Sequence, residues 1–134
     1  MRRGSPAALA FLILLSAGSA ALAASQDEAQ KRFAAGSELY KAGRLEPALA
    51  EFQLAGKADP TDPLIQNWIG FVLLRLERYE DATAPLSEAV RLRPGYAEAH
   101  TNLGNALLSL GRPERALQSF RRAAQLQPMS ANAY

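Results

Sequence analysis

The chain has 134 residues, 49% of them apolar and 21% charged, with no cysteine. That is material for one modest domain with an ordinary surface, and it excludes disulfides and attachment through a lipidated cysteine. The formal net charge is only +2, too small a surplus for a nucleic-acid surface, which needs a real excess of Lys and Arg.

The first two dozen residues differ from the rest. Arg2 and Arg3 make a short positive start, Ala7 to Leu15 is apolar, and Ser16 to Ala24 is a tail of small residues. Ala21-Leu22-Ala23 sets small side chains where a signal peptidase reads, so residues 1–23 read as a signal peptide cleaved after Ala23 or one residue later. The alternative is an uncleaved anchor, which wants about 20 strongly apolar residues; the apolar middle here is shorter. Without the leader, thirteen basic residues face thirteen acidic ones. A cleaved leader implies export and only transient contact with a membrane. The composition, rich in alanine, leucine and arginine, fits a bacterial periplasmic protein, with extracellular release as the other destination.

Beyond the leader the chain repeats itself. Pro60, Pro94 and Pro128 are 34 apart, as are Gly36, Gly70 and Gly104; Ala48, Ala82 and Ala116; and Ala55, Ala89 and Ala123. Leu39, Leu73 and Leu107 keep the step, as do Arg44, Arg78 and Arg112, and Phe52, Leu86 and Phe120 keep it in character. So many series in one phase define three units, 29–62, 63–96 and 97–130. Each reads as two helices. In the third, Leu103, Leu107 and Leu110 make one apolar face and Gly111 ends the helix. Pro113 then opens the next helix where its missing N–H costs nothing, Ala116, Leu117, Phe120, Ala123 and Ala124 form a second face, and Pro128 stops it. Gly43 plays the part of Gly111 in the first unit. Glu77 stands there in the second, so its turn is expected to close by a different cap. The small residues leave room for close helix pairing, and Phe52, Leu86 and Phe120 are expected to fill the space between neighbouring units.

These residues carry a family likeness. The period of 34, with Leu103-Gly104 followed by Ala116, Phe120, Ala123 and Pro128, resembles the tetratricopeptide repeat, and the likeness spans about residues 29–134. Departures fall at Arg32, Gln66 and His100, where the family often has a large aromatic, and at Gly56, which costs about 1 kcal/mol relative to alanine in a helix. The resemblance implies an all-α superhelix of antiparallel helix pairs, with a concave groove that holds a segment of a partner protein.

Mapped on that groove, the first unit would present Gln30, Phe33, Ser37, Tyr40 and Lys41. The second would present Leu64, Asn67, Phe71, Leu74 and Arg75, and the third Glu98, Thr101, Asn105 and Ser109 with Asn102 beside them. The expected partner segment anchors an apolar side chain near Phe71 while Asn102 and Asn105 hold its backbone. Trp68 and Leu74 read better as core than as contacts; Phe71 reads equally well either way. Some members of the family grip a terminal carboxylate with converging cations; here only Lys41 and Arg75 could serve, opposed by Glu98, so that version is not expected.

Catalysis is not expected either. There is one histidine, His100, and no nucleophile motif or phosphate loop, so no cofactor, metal or small-molecule substrate is implied. Ala131 to Tyr134 look like the opening of a fourth unit. Arrays usually finish with a capping helix; without one, Ala116, Leu117, Phe120 and Ala124 would be partly uncovered. A longer parent chain, pairing with a second copy and cover by a partner all answer that expectation, and self-association into an envelope assembly is the alternative function.

Overall fold

Six α-helices follow one another in the computed structural model, which describes residues 4–127: α1 (Pro6–Lys41), α2 (Leu45–Ala58), α3 (Pro63–Arg75), α4 (Tyr79–Leu92), α5 (Ala97–Ser109) and α6 (Pro113–Leu126). No strand occurs among the described residues. The expected stop at Pro128 and the fourth unit at residues 131–134 lie outside them. The helices pack as pairs, α1 on α2, α3 on α4 and α5 on α6; α2 meets α3 and α4 meets α5, so the pairs stack in chain order.

The turns inside the pairs explain the sharp reversals. Each first helix ends in a pair of crossed hydrogen bonds: Gly43 N–H donates to Tyr40 O and Arg44 N–H to Leu39 O, and the same holds for Gly111 with Leu108 and Arg112 with Leu107. Gly43 and Gly111 sit at φ +74° and +70°, the left-handed backbone that this cap requires. Glu77 does not use a different cap, as expected from its side chain. It adopts φ +59°, and the bonds repeat, Glu77 N–H to Leu74 O and Arg78 N–H to Leu73 O. The tertiary pairing of α3 with α4 imposes the shape and Glu77 bears the strain, on the order of 1–2 kcal/mol.

The 34-residue period reappears as burial. Ala48, Ala82 and Ala116, and Ala55, Ala89 and Ala123, are all buried, and Phe52 and Leu86 are wholly so. The large residues seat on the glycine of their own pair: a Cβ at Gly36 would lie 2.9 Å from the Phe52 ring, and one at Gly104 would lie 2.6 Å from Phe120. Gly70 faces Leu86 in the same way. Phe52 also reaches the next unit, where it stacks on Trp68, and Leu86 shares the buried core with Ala106 of the third. Gly56 has a packing reason too, because a Cβ there would meet Ile69 at 3.1 Å; its glycine lets α2 approach α3.

The two ends of the array are partly exposed. The N-terminal apolar stretch and the first repeat helix form one continuous helix, since residues 6–31 contain good helix formers and no proline after Pro6. Its N-terminal part stands clear of the repeats, with Leu9, Phe11, Leu12, Ile13, Leu14 and Leu15 all exposed, and it is long and apolar enough to cross a membrane. At the other end, of the four residues expected to be partly uncovered, Leu117 and Ala124 are exposed and Phe120 is half-buried on Gly104, while Ala116 is buried.

Candidate functional site

Positions seven residues apart on a helix share a face, so α1 presents Phe33 and Tyr40 together. On α3, Trp68 and Phe71 do the same at a three-residue step. The two helices bring these rings into one strip. Trp68 lies at its centre, 5.3 Å from Tyr40, 5.6 Å from Phe71 and 6.3 Å from Phe33, all in tilted or edge-on geometries. Phe52 of α2 lies beneath as a buried base, 5.5 Å from Trp68 and 5.3 Å from Phe33. Phe33, Tyr40 and Trp68 rest on the apolar core. Phe71 is half-buried and held at the edge of the strip by the Tyr40 and Trp68 rings. Arg75, one turn beyond, donates from Nη1 to the Tyr40 hydroxyl at 3.4 Å.

Between α3 and α5 the contact is polar instead. Asn102 Nδ2 donates to Asn67 Oδ1 at 3.0 Å, and Asn67 Nδ2 donates to the Tyr96 hydroxyl and to Glu98 Oε1, both at 3.2 Å. Asn67 is 1% exposed and Asn102 7%. Burial pushes the Tyr96 hydroxyl above its ordinary pKa, and the nearby carboxylate of Glu98 adds to this. Among the described residues no buried side-chain polar atom lacks a hydrogen-bond partner.

This burial corrects one expectation. Asn67 and Asn102 are spent on each other across the α3–α5 junction, so neither offers a free amide to a partner backbone. Asn105 is exposed, as is Thr101, whose hydroxyl donates back to Ala97 O. Ser37 donates back to Phe33 O and is half-buried, and exposed Lys41 pairs with Glu38 at 2.8 Å. The three departures from the family pattern are half-buried: Arg32 pairs with Glu28 and Glu51, Gln66 packs beside Gly56, and the His100 ring nitrogen meets Pro94 O at 2.9 Å.

At the end of the strip nearest the helix starts, a cavity of about 400 Å³ is lined by Gln26, Gln30, Phe33, Asp59, Asp62 and Leu64. Sequence reasoning missed the two aspartates because they lie in the turn before α3. The signal was Asp62 ahead of Pro63, an N-cap followed by an N1 proline, which places Asp62 at the start of a groove helix; its Oδ1 accepts from Leu64 N–H at 2.8 Å. A larger and shallower depression of about 650 Å³ lies over α2 and α4, among Gln53, Gln66, Ile69, Arg78 and Pro85. It has no aromatic anchor.

Comparison with known proteins agrees with this geometry. Residues 67–131 match the family model of the tetratricopeptide repeat. Over those residues the chain is similar to the tetratricopeptide repeat family. The repeats are 31% identical over 102 residues to the Hsp70-Hsp90 organizing protein of Triticum aestivum and 35% identical over 94 residues to a TPR repeat-containing thioredoxin of Arabidopsis thaliana. They span 76% and 70% of this chain but only 17% and 14% of those proteins. Among solved structures, the second TPR domain of Spaghetti (RPAP3), bound to the HSP90 peptide SRMEEVD, superposes with a TM-score of 0.73 at 26% identity, covering 77% of this chain and 97% of that one. MamA superposes at 0.72 with 18% identity, over 80% of this chain and 62% of its own, and shares the fold.

Proposed function

We propose that this chain is an exported adaptor that binds a segment of another protein in the groove of its repeats, against Phe33, Tyr40, Trp68 and Phe71. The observation that carries this reading is Phe71. It is an aromatic side chain at a groove position, half-exposed, braced by two other rings and free of the buried core; rigid aromatic anchors of this kind usually dominate interface energy. Peptide binding by the similar RPAP3 domain supports the same use here. The reading does not extend to that domain's peptide. Lys41 is already paired with Glu38 and Glu98 opposes an incoming carboxylate, so the converging cations that a terminal carboxylate needs are missing.

Export is supported by where packing begins. Residues 4–24 are exposed, whereas Ser25 donates to Ala58 O and Ala29 is buried. Cleavage after Ala23 would remove the exposed apolar stretch and leave every packed residue in place. Mass spectrometry of the chain recovered from an exporting host tests this: a product starting at Ala24 or Ser25 supports it, and an intact N-terminus identifies a membrane anchor.

The binding reading is tested by using the chain and its Phe71→Ala variant as parallel baits in an envelope extract. A protein held by the first and lost by the still-helical second supports groove recognition. If both retain only further copies of the same chain, self-association is the function and the groove reading is wrong.

A further inference from the structure

The groove is electrically polarised along its length. Asp62 caps α3 and Arg75 is its last residue, about 20 Å away at 1.5 Å per residue. Glu98 is in the first turn of α5, and Lys41 is in the last turn of α1. Each placement complements its own helix dipole. Because each first helix runs antiparallel to its second helix and the pairs stack in order, α1, α3 and α5 run the same way, and the placements add up in space. One end of the groove gathers Asp59, Asp62 and Glu98. The Asp59 and Asp62 carboxylates accept only from Thr61 and Leu64, and Glu98 accepts from Asn67. None of the three is in an ion pair among the described residues. Arg93 lies over the Tyr96 ring at 4.9 Å rather than against a carboxylate. At the other end Lys41 is neutralised by Glu38, while Arg75 has only the Tyr40 hydroxyl and keeps its charge available. The aromatic strip separates the two ends.

We infer that the occupant of this groove is an extended protein segment of about six residues, at roughly 3.3 Å each, with a basic side chain at one end, an apolar anchor at its centre and an acidic side chain at the other. The basic end meets Asp59, Asp62 and Glu98, the anchor meets Phe71, and the acidic end meets Arg75. Charge complementarity of this sort selects partners and sets register more than it adds affinity. The inference rests on the groove reading above and adds the chemistry of what is bound.

Panning the full chain against a displayed library of random ten-residue segments tests it, with three variants alongside. Phe71→Ala removes the anchor. Asp59→Asn, Asp62→Asn and Glu98→Gln together remove the negative end but keep its hydrogen-bond acceptors, so the α3 cap and the Asn67 contact survive. Arg75→Gln removes the positive end. The expected segments carry opposite charges at opposite ends of an apolar centre. They should bind the triple variant about 10-fold more weakly, at a few-fold per exposed charge, and renewed panning on that variant should lose the basic bias alone. Segments that need Phe71 yet show no charge bias would overturn this inference and leave the groove reading intact. No enrichment over Phe71→Ala would overturn both.

Discussion

The two junctions between neighbouring pairs solve one packing problem in opposite ways. Between α1 and α3 the helices meet through the rings of Phe33, Tyr40, Trp68 and Phe71, over Phe52. Between α3 and α5 they meet through the buried amides of Asn67 and Asn102, with Tyr96 and Glu98 as further acceptors. Ring packing is strong but weakly directional, so it tolerates an incoming side chain and can leave Phe71 partly open. An amide pair is directional and costly to disturb when buried, so it sets the register of the third pair on the second and leaves little for a ligand. The first junction is suited to recognition, the second to alignment.

The largest effect is expected at the centre of the ring cluster. Trp68→Ala removes the residue that touches all four other rings and should destabilise the fold by about 3 kcal/mol, read as a fall in the midpoint of urea unfolding at unchanged slope. A loss below about 1 kcal/mol would show that the junction is not held by its aromatics. Next comes the amide pair. Asn102→Ala leaves Asn67 Oδ1 buried without its donor and should cost about 1–3 kcal/mol, whereas Asn67→Leu with Asn102→Leu removes both needs at once and should cost less than the single change. If the double variant is the weaker one, the junction depends on hydrogen bonding rather than on filled volume.

A smaller change concerns the turn of the pair that both junctions share. Glu77→Gly relieves a left-handed non-glycine and should stabilise by about 1 kcal/mol; no gain in the unfolding midpoint would mean that the turn is not strained. The smallest effect is on pH. The Tyr96 hydroxyl is raised in the folded chain by burial first and by Glu98 next, so the folded state holds its proton more tightly than the unfolded state does. Stability from this group is therefore complete below the ordinary tyrosine range near 10 and declines as pH climbs through the higher folded value. Tyr96→Phe should flatten that alkaline decline in a urea series from pH 8 to 11, and an unchanged slope would assign it to other groups.

The all-α class, the pairing of helices and the small-residue contacts were readable from the chain alone, because a 34-residue period states which positions must be small, apolar or turn-forming in every unit. Gly36, Gly70 and Gly104 show this: repetition identifies the notch, and local helix geometry dictates that something large fills it. What filled it was only partly readable. Phe52, Leu86 and Phe120 were expected between units; each also seats on the glycine of its own pair, and Phe52 reaches across to Trp68. The candidate site was less legible. Phe33, Tyr40, Phe71 and Arg75 were placed in the groove by the family resemblance, yet Asn67 occupies the same register in its unit as exposed Thr101 and is buried.

The difference has a physical cause. A residue's place along its own helix is local and is set by the sequence around it. Whether it meets water depends on residues about 34 positions away, such as Asn102 beyond Asn67 or Trp68 beyond Phe33 and Tyr40, and those neighbours exist only once the pairs have stacked. Glu77 is the sharpest case: its side chain argues against the left-handed turn, and the packing of α3 on α4 overrules it. The sequence by itself determined the repeat and the glycine turns at Gly43 and Gly111; the stacking of the pairs decided the Glu77 turn, which polar groups were sealed between helices and which aromatic ring was left half-exposed.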